Sequence, residues 1–238
     1  MDFLLDNQES EQKYQQIIAQ VKSHKNGEVA AMLKQKGLGY KQIWGASVID
    51  LREIARHFEP DHLLALKLWN KQWRETMILA TLLDEPGKVT EEQMDFWTKS
   101  FDNTEIAEQA SANLWVKSKF AFVKSLEWCR GKKHLIRYTG IHLMGRLAMN
   151  NQQVIDEMFE PFFGEIQTLA KDPQLNTVLY RSLLTLGTRS ELLNRQTIEL
   201  ARKLETSDSE NAAKLAKELL AELTSEYVRD ILKTRVQN

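Results

Sequence analysis

Apolar residues recur along this chain at three- and four-residue intervals, the period of an α-helix, and few residues break the pattern. Tyr14, Ile17, Ile18 and Val21 mark a helix from Glu11 to His24. Val29 to Gln35 forms a second, stopped near Gly37 and Gly39. Ala46 to Phe58 places Val48, Leu51, Ile54 and Ala55 on one face, and Pro60 reads as the first residue of the next helix. Trp73 to Leu83 precedes the Glu85-Pro86-Gly87 break. Glu91 to Lys99, Glu105 to Val116, Ala121 to Cys129 and Lys133 to Met149 continue the series. Val154 to Ala170 is kinked or split by Pro161. Asn176 to Thr188, Glu191 to Leu204 and Glu210 to Leu232 complete it, the last capped by Asp208 or Ser209. No stretch alternates as a strand would. Four Pro and ten Gly in 238 residues leave little room for long loops. The pattern predicts an all-α protein and a single continuous domain over 1–238.

Short helices joined by short turns suit a bundle or an α-solenoid. A weak internal echo favours the solenoid. The segments Trp73 to Leu83, Ile136 to Leu147 and Tyr180 to Gly187 each set an Arg at the start of an apolar helix. Helix pairs of roughly 40 residues per unit match HEAT-type repeats, which bury their apolar faces only by stacking on neighbours. The chain is 42% hydrophobic and 27% charged, as in soluble globular proteins. Its one cysteine, Cys129, excludes an internal disulfide and suits a reducing compartment. The start MDFLLDNQES lacks the basic and apolar regions of a signal peptide, and no segment reaches the roughly 18 apolar residues of a membrane span. A cytoplasmic monomer without membrane contact is the expectation.

The net charge of −1 conceals two opposed regions. From Ser111 to Asn150, Lys117, Lys119, Lys124, Arg130, Lys132, Lys133, Arg137 and Arg146 face Glu127 alone. From Glu75 to Ala110 the balance is reversed, with nine acids against Lys88 and Lys99. A local field of one sign attracts a polyanion whatever the total charge. The cations concentrate in KKHLIRYTGIHLMGR, from Lys132 to Arg146, where Ile136, Gly140, Leu143 and Leu147 form one helical face. Lys133, His134 and Arg137 share the first turn of that helix. Its free N–H groups and positive dipole end favour acids there, so cations cost stability. A phosphate held by those N–H groups and an Arg gives that cost a purpose. An ordinary solvated helix face is the alternative.

Other chemistry is poorly represented. Gly37-Leu38-Gly39 has no strand before it and reads as a helix stop rather than a phosphate loop. His24, His57, His62, His134 and His142 show no metal-ligand spacing, so no metal and no cofactor are expected. Cys129 beside basic residues is either a reactive thiol or a buried small hydrophobe, the commoner outcome. The six tryptophans belong mainly to the core, with one or two left as stacking platforms.

Several motifs, in order, resemble the bacterial alkylpurine DNA glycosylases built from HEAT-like repeats, the AlkD-type DNA alkylation repair enzymes. GASVIDLREIAR (Gly45 to Arg56) is similar to their early helix start, and KLWNKQWRETMILATLL (Lys67 to Leu83) to their LW…RE…A helix pair. HLIRYTGIHLM (His134 to Met144) resembles the helix whose Arg contacts the DNA backbone, which makes Arg137 that residue. The resemblance runs from about Lys34 to about Arg189. It implies a curved, right-handed solenoid of antiparallel helix pairs with a basic concave face on DNA. Active members carry Trp-Asp-x-x-Asp on the helix corresponding to Glu105 to Ser111. An ungapped match sets Ala107 at the aromatic, Glu108 at the first acid and Ser111 at the catalytic acid. A shifted match sets Phe101 at the aromatic and Glu105 at the catalytic acid. A second family Trp falls near Thr185.

Three functions follow as expectations. The first is backbone binding of duplex or damaged DNA by Arg137, Lys133, Lys132 and His134, extended by Lys117 and Lys119, with glycosylase activity weak or lost. The second is an active enzyme hydrolysing the N-glycosidic bond of alkylated purines, with Glu105 or Glu108 as the carboxylate that steadies an oxocarbenium-like sugar. The third is a HEAT-type protein–protein scaffold. Salt-dependent DNA affinity separates the third from the others.

Overall fold

A computed structural model describes residues 8–150 and 154–236. The amino-terminal MDFLLDN, part of the segment read for a leader, lies outside the described residues. The described residues form fourteen α-helices and three 3-10 turns, with no strand beyond an isolated bridge between Gln42 and Trp73. They gather into two compact units that divide between Lys119 and Phe120.

The first unit holds α1 (Gln8–Ser23), α2 (Gly27–Gln35), α3 (Val48–Arg56), α4 (His62–Asn70), α5 (Arg74–Leu83), α6 (Glu91–Lys99) and α7 (Thr104–Asn113). Its starts follow from capping chemistry. Ser47 and Asp50 close a capping box on α3, and Asn26, Asp61, Thr90 and Asn103 each accept from an orphan first-turn amide. Pro60 therefore lies outside α4, not at its first position: Asp61 caps the helix, and its own N–H is committed to the Leu83 carbonyl. Helix α2 ends at Gly37, whose φ of +82° suits glycine. Helices α4 and α5 pack as a pair, with α1 against α4 and α3 and α7 against α5. Between them Trp69 stacks on Trp97, with 3.8 Å between ring centroids and 1° between planes, and Trp115 and Phe101 close the cluster. The helix expected to run to Val116 stops at Asn113 and continues as a 3-10 turn, Trp115–Lys117, which buries the Trp115 ring.

The second unit holds α8 (Ala121–Cys129), α9 (His134–Asn150), α10 (Glu160–Leu169), α11 (Asn176–Gly187), α12 (Glu191–Glu205), α13 (Glu210–Leu223) and α14 (Glu226–Val236). Pro161 splits its segment as the ring requires: a 3-10 turn, Asp156–Phe159, precedes α10, and the proline occupies α10's first turn, where its missing N–H costs nothing. Ser209 caps α13. The expected Glu210 to Leu232 helix is two helices. The Thr224 hydroxyl takes the Leu220 carbonyl, and Ser225 Oγ accepts from Val228 N to start α14. Helices α8 and α9 and helices α12 and α13 form the closest pairs, and α11 packs on α9, α12 and α13.

Gly140 sets the α8–α9 pair. A Cβ there would lie 2.7 Å from both the Cys129 amide nitrogen and the Ser125 carbonyl oxygen, so only hydrogen fits. Ser125 Oγ donates 2.8 Å to the Gly140 carbonyl across the same contact. Gly145 plays a similar part against Ser182 of α11. Gly140→Ala is expected to destabilise the protein by about 1–3 kcal/mol, the usual cost of overpacking. Gly164→Ala, on an exposed turn of α10 with nothing near its Cβ, should gain about 0.5–1 kcal/mol. Urea denaturation of the two variants measures both.

Candidate nucleic-acid interface and carboxylate cluster

Glu105, one of the two acids expected to work on a substrate, is already occupied. In the first unit the side chain of Arg74 is 5% exposed and lies between Glu75 and Glu105. Its Nη2 donates to Glu105 Oε1 at 2.7 Å and its Nε to Glu105 Oε2 at 2.9 Å, a bidentate pairing. Its Nη1 donates to the Ala46 carbonyl at 2.7 Å and to Glu75 at 3.1 Å. Glu75 in turn accepts the backbone amides of Trp44 and Gly45. Burial alone would lower the Arg74 pKa, and the Glu105 and Glu75 carboxylates together more than offset it, so the guanidinium stays charged. The Tyr40 hydroxyl reaches Glu105 at 3.0 Å; burial first and the Glu105 charge second push its pKa well up. Glu105 thus faces a cation and a phenol that remains protonated.

Of the remaining positions of the expected catalytic pattern, Ala107, Ser111 and Phe101 are buried. Ala107 and Ser111 are fully buried on α7, and Ser111 Oγ donates to the Ala107 carbonyl at 2.7 Å. Phe101 packs on the ring of Trp69. Glu108 is half-buried on α7, and Thr185 is half-buried on α11 with its hydroxyl on the Arg181 carbonyl. Of the tryptophans, only Trp73 is more than marginally exposed, and it packs against Trp44.

The second unit brings Lys132, Lys133, His134 and Arg137 together at the start of α9. Lys132 and Lys133 are exposed; His134 and Arg137 are half-buried. The Arg137 amide bonds the Lys133 carbonyl, so Lys133 stands at the cap position. Lysine has no acceptor and cannot satisfy the orphan amides there. Arg137 Nη2 lies 3.1 Å from Asp172 Oδ2, while its buried Nε has no hydrogen-bond partner. Part of the expected basic surface is paired with acids. Lys124 is buried and pairs with Glu127, and Arg130 pairs with Glu165. Lys117 and Lys119 are exposed on the first unit, after α7. Neither Asp172 opposite Arg137 nor Arg74 opposite Glu105 was visible in the motifs, because each pair joins residues more than 30 positions apart.

Among the described residues no group of three His, Cys, Asp or Glu is placed to hold a metal ion, and no helix is long and apolar enough to cross a membrane. Cys129 is buried on α8, and burial pushes its thiol up to about 12.

The succession of packed helix pairs is that of a HEAT-like repeat protein. It matches, over 92% of this chain and 95% of the other, a solved structure described as belonging to "a new family of proteins related to the HEAT-like repeat DNA glycosylases with affinity for branched DNA structures". The TM-score is 0.72 and the identity 15%, which establishes the shared fold. The sequence profile of the DNA alkylation repair enzymes matches residues 17–177, and the chain belongs to that family. No curated protein matches it.

Replacing Arg74 with Leu strands Glu75 and Glu105 without their cation. A loss of about 3–5 kcal/mol is expected, the usual cost of breaking a buried ion pair, read as a fall in the urea midpoint. Cys129 should resist iodoacetamide at pH 8 in the folded protein and react readily once unfolded, since the raised pKa leaves almost no thiolate.

Proposed function

We propose that the protein binds DNA through its phosphate backbone from the cationic start of α9, with base excision weak or absent. The observation that carries this reading is the cluster of Lys132, Lys133 and Arg137 at a helix end that already presents free amides, on a helix with no Asp or Glu. Cations there oppose the helix dipole, and a bound phosphate offsets that cost. Arg137 keeps donors beyond the one given to Asp172, so the pair orients its guanidinium without exhausting it. Membership of the DNA alkylation repair family supports the same ligand. The fold relative's described affinity for branched DNA makes branched DNA the first substrate to try. Lys117 and Lys119, exposed on the first unit, are further candidate phosphate contacts in this reading.

The chemical half rests on Glu105. Hydrolysis of an alkylpurine glycosidic bond needs a carboxylate free to face a developing sugar cation and its attacking water. The bidentate Arg74 and the hydrogen bond from the Tyr40 hydroxyl already engage both oxygens of Glu105. Ser111 and Ala107 supply neither an acid nor an aromatic face.

Fluorescence anisotropy with a labelled duplex and a four-way junction, across a salt series, tests the binding. Lys133→Ala and Arg137→Ala should each weaken binding for all sequences alike and flatten the salt slope by roughly one. Asp172→Asn should leave binding intact or tighten it. In a parallel assay on methylated DNA, little or no 7-methylguanine or 3-methyladenine should appear. Robust release that disappears in Glu105→Gln or Glu108→Gln would overturn the non-catalytic reading.

A further inference from the structure

Eight of the seventeen residues of α9 are buried, from Thr139 to Ala148, and they cover most of its circumference. The strip left partly open runs through Leu135, Tyr138, His142, Arg146 and Met149. Tyr138, His142 and Arg146 follow one another at four-residue steps, so they line up along the helix. The rings of Tyr138 and His142 lie almost parallel, 10° apart, with centroids separated by 6.4 Å. His134 continues the row at 6.3 Å from Tyr138. Arg146 stands one turn beyond His142. Its Nη1 meets only the Met149 sulfur at 3.9 Å, its buried Nε has no hydrogen-bond partner, and no carboxylate of the described residues pairs with it. Two parallel rings and an unneutralised guanidinium thus share the open face of an acid-free helix.

We propose that this strip is a stacking platform for unpaired nucleotides of DNA. The proposal rests on the backbone-binding reading and deepens it by naming what the protein recognises in branched or distorted DNA: bases released from the duplex stack. Unstacked bases lie on the Tyr138 and His142 rings, and Arg146 takes a phosphate of the same strand. Every base has a π-face, so such a platform reads unpairing and not sequence. Charge complementarity selects the occupant. The strip carries only neutral or cationic groups and adjoins Lys133 and Arg137, which suits a polyanion bearing flat rings better than a neutral partner. These three residues lie outside the expected catalytic pattern, so the platform needs no base excision.

The test uses the full chain and a gapped duplex carrying 2-aminopurine at an unpaired position, beside a fully paired duplex of equal length. With the wild-type protein and with Tyr138→Phe, the unpaired fluorophore should be quenched and the gapped DNA preferred. Tyr138→Leu should abolish the quench and weaken gapped-DNA binding about tenfold, the loss of one base–aromatic stack, while duplex affinity stays unchanged. His142→Leu should act in the same direction, which guards against a folding defect confined to the Tyr138 variant. Arg146→Gln should weaken gapped-DNA binding and spare the quench. Quenching and gap preference that survive both leucine variants, while Lys133→Ala still weakens binding, would refute the platform and leave the backbone reading standing. Absence of binding to either DNA at low salt would refute both. Loss of self-association in Tyr138→Leu, with DNA binding untouched, would mark the strip as a protein contact and refute the platform alone.

Discussion

The guanidinium of Arg74 is the point on which the first unit turns. It joins the loop before α3, through the Ala46 carbonyl, to α5, which carries it, and to α7, through Glu105. Glu75 extends the connection to the amides of Trp44 and Gly45, in a turn where a φ of +84° and the Asn26 carbonyl leave no room for a side chain at Gly45. A charge removed from water in this way is tolerable only because each guanidinium nitrogen finds an acceptor and a carboxylate flanks it on two sides. The arrangement specifies geometry more than it adds net stability. It also holds in an ion pair Glu105, one of the two carboxylates that a glycosylase reading would place at the reacting sugar.

In the second unit the corresponding constraint is steric. Gly140 lets the backbones of α8 and α9 touch, and Gly145 does the same for α9 and α11, so α9 is held from two sides. A helix gripped this closely presents its remaining residues at fixed positions. The cations of its first turn and the rings of its open strip are therefore carried on a rigid element, which suits recognition of a stiff polyanion. The energetic cost of cations at the helix start falls on a helix whose packing can absorb it.

A shared fold does not by itself carry a shared chemistry, which depends on the side chains of the site. Membership of the DNA alkylation repair enzymes accounts for the stacked helix pairs, while the positions matched to the family's catalytic pattern have environments of their own. Ala107 and Ser111 lie in the core of α7, and Glu105 lies in an ion cluster. In the proposed reading, backbone contacts and base chemistry fall to different residues on different helices, so the first does not depend on the second.

Much of the architecture was legible in the sequence. Apolar periodicity located the helices, with α13 and α14 read as one, and the boundaries of α6 and α8 agree to the residue. Periodicity is a local property, which a linear string records. Its failures were also local: Thr224 and Ser225 ended one helix and capped another by hydroxyl bonds that no apolar pattern reveals. The cations at the start of α9 could likewise be read, since they lie within one turn. What the sequence alone could not decide was which charges remain available. Arg74, Arg137 and Arg181 all open apolar helices, yet the first is buried between carboxylates, the second meets Asp172 and the third is exposed. Those fates depend on partners tens of residues away, brought near only by helix packing. Helical periodicity determined the class of fold because it acts over a few residues; tertiary structure decided the availability of Glu105 and Arg137 because electrostatics acts through space.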